Sequence, residues 1–407
     1  MFHNQCFVSV LVSIQVIIAI PDVVSQRQLK KIADPINQFA IEFQYALSKK
    51  NAGNTFCSPI GLQMALAMAS VGAGDNTTSY DEIKTLLRFP NDTSEMLSDY
   101  SLLSDTLTSF NELKMAYRIY IDQKFTVKPE YLETTKKYFK SDAELVDFLN
   151  NADAAAAVIN SWVEQQTNNK IKDLITEGAL TSKTVMVLIN AMHFNANWKY
   201  VFKKELTRKE KFYLDETKTV DVDMMHITNY YHFQNPENLK ATVLELPYEG
   251  DEFSMIIVLP ETRTGLADVQ AQLTRKNYMD LMKIMRQLRN PDPVLVHVSL
   301  PKFKMDQTHD NLVDVLKELR VREIFSDNAN FLEIDPNNAI KVSKIIQKVF
   351  VGVDEKGTEA ADPTPSFAPE LPSDFEFQVD HPFFCIIMKK ISVKHSLILF
   401  FGEFTGN

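Results

Sequence analysis

Residues 185–194 read VMVLINAMHF, a nearly continuous apolar run of strand length. Such a run has no polar face to turn toward water, so it reads as a strand covered on both sides. A fold that contains it needs layers above and below a sheet, and a chain of 407 residues can supply the core this demands. Phe253 to Leu259 is a second run of the same kind. Val294, Val296, Val298 and Leu300 alternate with other residues, as do Val349, Val351 and Val353, which is the period-two signature of a strand. Two further apolar segments, Phe383 to Met388 and Leu397 to Phe404, flank a basic turn near the C-terminal end.

The first half has a different texture. Asp34-Pro35 reads as a helix start, a carboxylate N-cap followed by proline, and Ile36, Phe39, Ala40, Phe43 and Leu47 then recur at helical spacing. Ser58-Pro59 repeats that start, with the helix expected to stop at Gly72 to Gly74. Ser79 to Glu82 reads as a capping box, and Asp153 to Asn168 places Val158, Ile159, Trp162 and Val163 on one helical face. Asn311 to Arg320 returns to helix. Helices come early and strands late, with no internal repeat, no separating linker and no regular βαβ alternation. The expected class is α+β in one large domain.

The N-terminal 25 residues read as a secretory signal peptide. Cys6 to Ile20 is an apolar run too short to span a membrane, and Val23-Val24-Ser25 offers small residues for cleavage after Ser25. The alternative, a buried N-terminal strand, fits less well. Residues 26–407 then form the mature domain, and the expected location is extracellular. Asn76-Thr77-Thr78 and Asn91-Asp92-Thr93 are N-glycosylation sequons in polar stretches, which makes Asn76 and Asn91 the expected glycan sites. Cys57 and Cys385 could pair in a secreted chain, but both sit inside apolar runs and read as buried thiols. The net charge of −10 gives no reason to track a phosphate backbone, so nucleic acid is not an expected partner. No membrane partner, metal or cofactor is expected, and the chain is read as a monomer.

Enzyme motifs are missing from the sequence: GxSxG, HExxH, a Walker loop and CxxC. Gly72-Ala73-Gly74 follows a helix and is a helix stop. His226 and His232 lie near Asp221 and Asp223, but their spacing matches no helical ligand pair, and a polar loop is expected there. Lys203, Lys204, Arg208, Lys209 and Lys211 are interrupted by Glu205 and Glu210 and read as a solvated face.

Proline is unevenly spread. The chain has 17 Pro against 11 Gly, and Pro363, Pro365, Pro369 and Pro372 fall within ten consecutive residues. Just before them, Asp354-Glu355-Lys356-Gly357-Thr358-Glu359-Ala360-Ala361 resembles the hinge of the serpin reactive-centre loop. Just after them, Phe377-Gln378-Val379-Asp380-His381-Pro382-Phe383-Phe384 resembles the serpin signature. Phe56-Cys57-Ser58-Pro59, Leu188 to Phe194 with Trp198, Leu246-Pro247-Tyr248, Ser254-Met255 and Leu300-Pro301-Lys302-Phe303 resemble other serpin segments in the same order.

The resemblance covers the mature chain. It implies one domain of three β-sheets and eight or nine helices with an exposed loop, here about residues 355–380. It implies no enzyme but a single-use trap, in which a protease cuts the loop and the hinge inserts as a new central strand. Carried over by position, Glu355 is the hinge-base acid and Lys302 its salt-bridge partner. Ser58, Asn190 and Gln347 form the polar cluster beneath the opening strands, with Gln347 where the family usually has His. Trp198 stands at the top of those strands. From Glu355 to Pro382 is 27 residues, the usual length in inhibitory members, and counting 16 past Glu355 places the reactive bond at Leu371-Pro372.

Physics argues with that default inside the loop. Insertion would turn Thr358, Ala360, Asp362, Thr364 and Ser366 inward. An unpaired Asp362 carboxylate is costly to bury, and Pro363 and Pro365 each remove a ladder donor from a central strand. Pro372 lacks an N–H and crowds the leaving side of the bond. No Lys or Arg occurs between Gly357 and Asp380, so a trypsin-like target is disfavoured. The expected partners are extracellular serine proteases of chymotrypsin-like, elastase-like or glutamate-specific type. The alternative is a non-inhibitory serpin serving as bait, binding surface or carrier.

Overall fold

The computed structural model describes residues 4–50, 53–272, 278–310, 312–358, 373 and 375–406. Among them are nine α-helices: α1 (Asn4–Ser48), α2 (Pro59–Ala73), α3 (Thr78–Leu87), α4 (Thr93–Thr108), α5 (Pro129–Phe139), α6 (Phe148–Gln166), α7 (Leu266–Gln272), α8 (Tyr278–Gln287) and α9 (Leu312–Glu318). Helix α2 follows its sequence signals. Ser58 is extended (φ −112°), its hydroxyl accepts from the Gly61 N–H at 3.4 Å, Pro59 takes the first position, and Gly74 (φ 77°) ends the helix.

Other helices depart from expectation. Helix α1 runs straight through Asp34-Pro35 instead of starting there. An interior proline removes a donor and crowds the carbonyl one turn back, a cost of about 3 kcal/mol or more, and the buried stripe of Ile36, Phe39, Phe43 and Leu47 offsets it. Helix α3 starts before the expected box, because Thr77, not Ser79, accepts from the Tyr80 N–H at 3.1 Å. Ser79 is buried and accepts from the Asn330 N–H at 2.9 Å. Helix α6 adds a short turn from Phe148, where the Asp147 carboxylate accepts from the Asn150 N–H at 2.8 Å. It then breaks at Asn151 (φ −147°), whose side chain accepts from the Ala154 N–H at 3.1 Å, so the regular helix begins close to the expected Asp153. Ile159 and Val163 are buried on it, but Val158 faces outward.

One sheet is seven-stranded, in the order β3-β2-β4-β12-β13-β5 with β11 beside β12. Its strands are β2 (Leu113–Asp122), β3 (Ala143–Val146), β4 (Met186–Phe194), β5 (Ala196–Asn197), β11 (Phe303–His309), β12 (Val342–Val353) and β13 (Gly357–Thr358). Every residue of β4 is buried. Leu188 and Met192 face the main core, while Val187, Ile189 and Ala191 pack with Ile159 and Val163 of α6 on the opposite face. That two-sided cover is why its sequence lacks alternation. Strands β2 and β3 lie in the half read as helical. Lys114 and Arg118 interrupt the apolar pattern of β2, and Arg118 lies over the Trp162 ring at 4.3 Å.

The remaining strands form a nine-stranded array in the order β1-β16-β15-β9-β8-β7-β10-β14, with β6 also on β7. They are β1 (Thr55–Cys57), β6 (Arg208–Tyr213), β7 (Thr219–Gln234), β8 (Ala241–Pro247), β9 (Phe253–Pro260), β10 (Val294–Pro301), β14 (Phe375–Gln378), β15 (Phe383–Ser392) and β16 (His395–Phe404). The end of β7 pairs with β8, and the rest of it pairs with β10 and β6. The array therefore works as two sheets sharing β7, three in all among the described residues, and the class is α+β in one domain.

The segment expected to be a polar loop is strand instead. Asp221, Asp223, His226 and His232 all lie in β7, where Met224 to Ile227 are buried in a row, and His226 is buried between β6 and β10. Among the described residues no three His, Cys, Asp or Glu side chains are grouped to hold a metal. The basic cluster is solvated: Lys209 pairs with Asp223 at 3.0 Å and Lys211 with Asp221 at 2.6 Å. Cys57 and Cys385 are buried free thiols on β1 and β15, with β16 between them. Among the described residues no helix is long and apolar enough to cross a membrane.

Candidate functional site

Strands β4 and β12 run parallel and in direct contact from Met186↔Val342 to His193↔Phe350. Above that point they part. β12 ends at Val353, the chain turns through Asp354 to Lys356, and β13 comes back between β12 and β5. The turn is an Asx turn: Asp354 Oδ1 accepts from the Lys356 N–H at 2.9 Å and the Gly357 N–H at 3.3 Å. Gly357 (φ 155°) is required by crowding, since a Cβ there would lie 2.1 Å from the Ala196 carbonyl oxygen.

Thr358 is the last described residue of the hinge, and it is fully buried. It pairs with Val353 on one side and Ala196 on the other, so two residues of the hinge already occupy the central position of the sheet. Its hydroxyl lies 2.8 Å from the Tyr248 hydroxyl. The Tyr248 ring stacks on Trp198 at 4.5 Å and 8°. Trp198 in turn donates its indole N–H to the Asp354 carbonyl at 3.0 Å and its backbone N–H to the Lys356 carbonyl at 2.8 Å. The aromatic pair is thus the wall against which the hinge turns.

Glu355 fixes the outer side of the turn. Lys302 Nζ donates to its Oε2 at 2.8 Å, the Thr207 hydroxyl to its Oε1 at 2.9 Å, and the Phe202 N–H to its carbonyl at 3.0 Å. Burial by itself would raise the Glu355 carboxyl. The hydrogen bonds from Lys302 and Thr207 and the ammonium charge outweigh it and hold the pKa below the ordinary carboxylate range.

Lower in the sheet, Gln347 and Asn190 are register partners across β12 and β4. Gln347 Nε2 donates to Asn190 Oδ1 and to the Ser58 carbonyl, each at 2.8 Å, and its Oε1 accepts from the Ser58 N–H at 2.9 Å. The Ser58 hydroxyl donates to the Leu399 carbonyl at 2.9 Å. One amide therefore ties α2 to both strands that would have to separate. Across the ladder from Gln347 stands His309, whose Nε2 donates to the Phe56 carbonyl at 2.8 Å. Burial lowers the His309 pKa, so the neutral ring is favoured.

The structure brings Ser58, Asn190 and Gln347 together, and separately Trp198, Lys302, Glu355, Lys356, Gly357 and Thr358. Glu359, Ala360, Ala361, Asp362, Pro363 and Pro365, with the reactive bond at Leu371 and Pro372, lie outside the described residues. Sequence reasoning missed Tyr248 as a contact of Thr358, Thr207 as the second donor to Glu355, His309, and Gly61. A Cβ on Gly61 would lie 2.2 Å from Asn190 Nδ2, and a glycine inside an apolar helix was the available signal.

Comparison with known proteins agrees with this geometry. The family model described as serpin (serine protease inhibitor) matches residues 34–406. The chain is 33% identical to human Serpin B4 over 93% of its own length and 100% of that protein. It is 34% identical to human leukocyte elastase inhibitor, again over 93% and 100%. The solved structure of Serpin48 from the insect Tenebrio molitor superposes with a TM-score of 0.81 at 33% identity, covering 93% of this chain and 98% of that one. The chain belongs to the serpin family.

Proposed function

We propose that the chain is a secreted, non-catalytic trap for extracellular serine proteases that are not trypsin-like. The observation that carries this reading is Thr358, seated between β12 and β5 with the rest of the loop still to follow. A strand position that has already accepted two hinge residues can accept the next. The single amide of Gln347 and the Lys302–Glu355 pair are the contacts that must yield or persist as the sheet opens. A relative named leukocyte elastase inhibitor lends weight to a protease target, and a loop without Lys or Arg points to chymotrypsin-like, elastase-like or glutamate-specific enzymes.

Cleavage at Leu371-Pro372, or at the adjacent Glu370-Leu371, would leave the full tether. Removal of residues 1–25 and glycans on Asn76 and Asn91 complete the reading. Both asparagines are exposed, one in the turn before α3 and one before α4. The protein acts as a monomer without cofactor.

A second reading rests on the loop sequence. Asp362 and the prolines at 363, 365 and 372 oppose insertion and cleavage, which suits a non-inhibitory bait, binding or carrier role. Incubation with chymotrypsin, elastase and a glutamate-specific protease separates the two. An SDS-stable covalent complex supports the trap. Clean cleavage with no complex from any of the three supports the second reading.

A further inference from the structure

A cavity of about 120 Å³ lies between α1, α3 and α4, away from the hinge. Its walls are mostly apolar, with Ile36, Leu87, Phe89 and Leu103 among them, and Lys31, Arg88 and Asp99 also line it. Its floor is not. Gln63 of α2 reaches in with only 1% of its surface exposed. Its Nε2 donates to the Tyr100 hydroxyl at 2.9 Å, and its Oε1 has no hydrogen-bond partner among the described residues. The Tyr100 hydroxyl, used as an acceptor, retains its own O–H for donation. A buried acceptor left unpaired is a cost that a structure rarely carries without an occupant.

The floor therefore presents one acceptor and one donor side by side under an apolar roof. A single hydroxyl group meets both needs: it donates to Gln63 Oε1 and accepts from Tyr100. The two ends of the Gln63 amide differ only by a flip, and a hydroxyl serves either orientation. Size sets the rest of the ligand. Apolar cavities of about 150 Å³ take benzene, so about 120 Å³ suits one small ring and not a steroid or a lipid. We infer that this cavity is a binding site for a one-ring phenolic compound, with the ring among the apolar side chains and the hydroxyl on Gln63 and Tyr100.

The test compares phenol with toluene, which has nearly the same shape but carries methyl in place of hydroxyl. Binding to the full-length protein is measured by ligand-observed NMR titration. The expected result is that phenol binds at least about tenfold tighter than toluene. Gln63→Met, which keeps the length and removes the acceptor, should reduce that preference, and Tyr100→Phe should weaken phenol while leaving toluene unchanged. Leu103→Trp, which fills the cavity, should remove both ligands. If Gln63→Met does not fold, Tyr100→Phe carries the comparison. No phenol binding at millimolar concentration, equal binding of phenol and toluene, or phenol binding that survives Leu103→Trp would each overturn the inference.

Discussion

The Thr358 hydroxyl lies 2.8 Å from the hydroxyl of Tyr248, 110 residues away in sequence, and both groups are shut off from water. This contact joins the hinge to the aromatic pair of Tyr248 and Trp198. Tyr248→Phe removes one partner and leaves the Thr358 hydroxyl buried without its mate, while the ring stays on Trp198. The expected cost is about 1–2 kcal/mol, a buried hydroxyl losing its hydrogen bond. Urea unfolding midpoints of the variant and the parent protein measure it. Thr358→Val, which drops the other hydroxyl at equal volume, should cost no more on top of Tyr248→Phe, because the pair is already broken.

The Lys302–Glu355 pair gives a pH-dependent signature. Glu355 has a folded pKa below its ordinary value of 4.5. A depressed carboxyl contributes stability that is present above the unfolded pKa and lost as pH falls through the folded one. Glu355→Gln should therefore destabilise at pH 7, and the difference should shrink as the pH drops below the ordinary carboxyl value and through the depressed folded one. Lys302 is one-third exposed, so the loss at neutral pH should be modest, about 1 kcal/mol. Unfolding midpoints at pH 7 and pH 3.5 test this. An equal loss at both would show that packing, not charge, is what Glu355 contributes.

Much of this architecture was legible in the chain. The apolar run over β4 announced a strand covered on both sides, and Ser58-Pro59 announced α2 to the residue. The hinge base was legible because Glu355, Gly357 and Thr358 form a local pattern. Tyr248 and His309 were not legible as parts of the site. Each reaches its partner through tertiary packing at a separation no local period encodes, 110 residues for Tyr248 to Thr358 and 253 for His309 to Phe56. The mistaken loop around His226 has a similar cause. Strand β7 is shared by two sheets, so Met224 to Ile227 are buried in a row while Thr219 to Asp223 stay toward solvent, the period-two signal is lost, and its polar residues read as a turn.

Glu403 on β16 is a stored liability. Burial raises its carboxyl to about 7, and Thr55 offsets this only in part. For a raised carboxyl the folded state holds the proton more tightly than the unfolded chain. Stability is therefore greatest below the ordinary pKa of 4.5 and declines as pH rises toward 7. A tenfold difference in proton affinity between the two states is worth about 1.4 kcal/mol, so Glu403→Gln should stabilise the protein by up to about 3 kcal/mol at pH 8 and by little at pH 4.5. Chemical denaturation at the two pH values measures the difference. A gain of the same size at both would mean that the carboxyl is not the source.

Gly61 tests the coupling between α2 and the strands it holds. By helix propensity alone, Gly61→Ala should stabilise α2 by up to about 1 kcal/mol. Contact reverses the sign, because the new methyl would stand 2.2 Å from Asn190 Nδ2, an amide held in place by Gln347 at 2.8 Å. Asn190 must move, and moving it strips Gln347 of a buried acceptor. The expected net result is a loss of about 1–3 kcal/mol. Asn190→Ala costs stability by itself but clears the space, so adding Gly61→Ala to it should be neutral or favourable. That change of sign in a double-mutant cycle, read from urea midpoints, would place the glycine requirement on Asn190 and not on the helix backbone. A loss of equal size in both backgrounds would reject the steric account and leave the helix backbone as the reason for glycine.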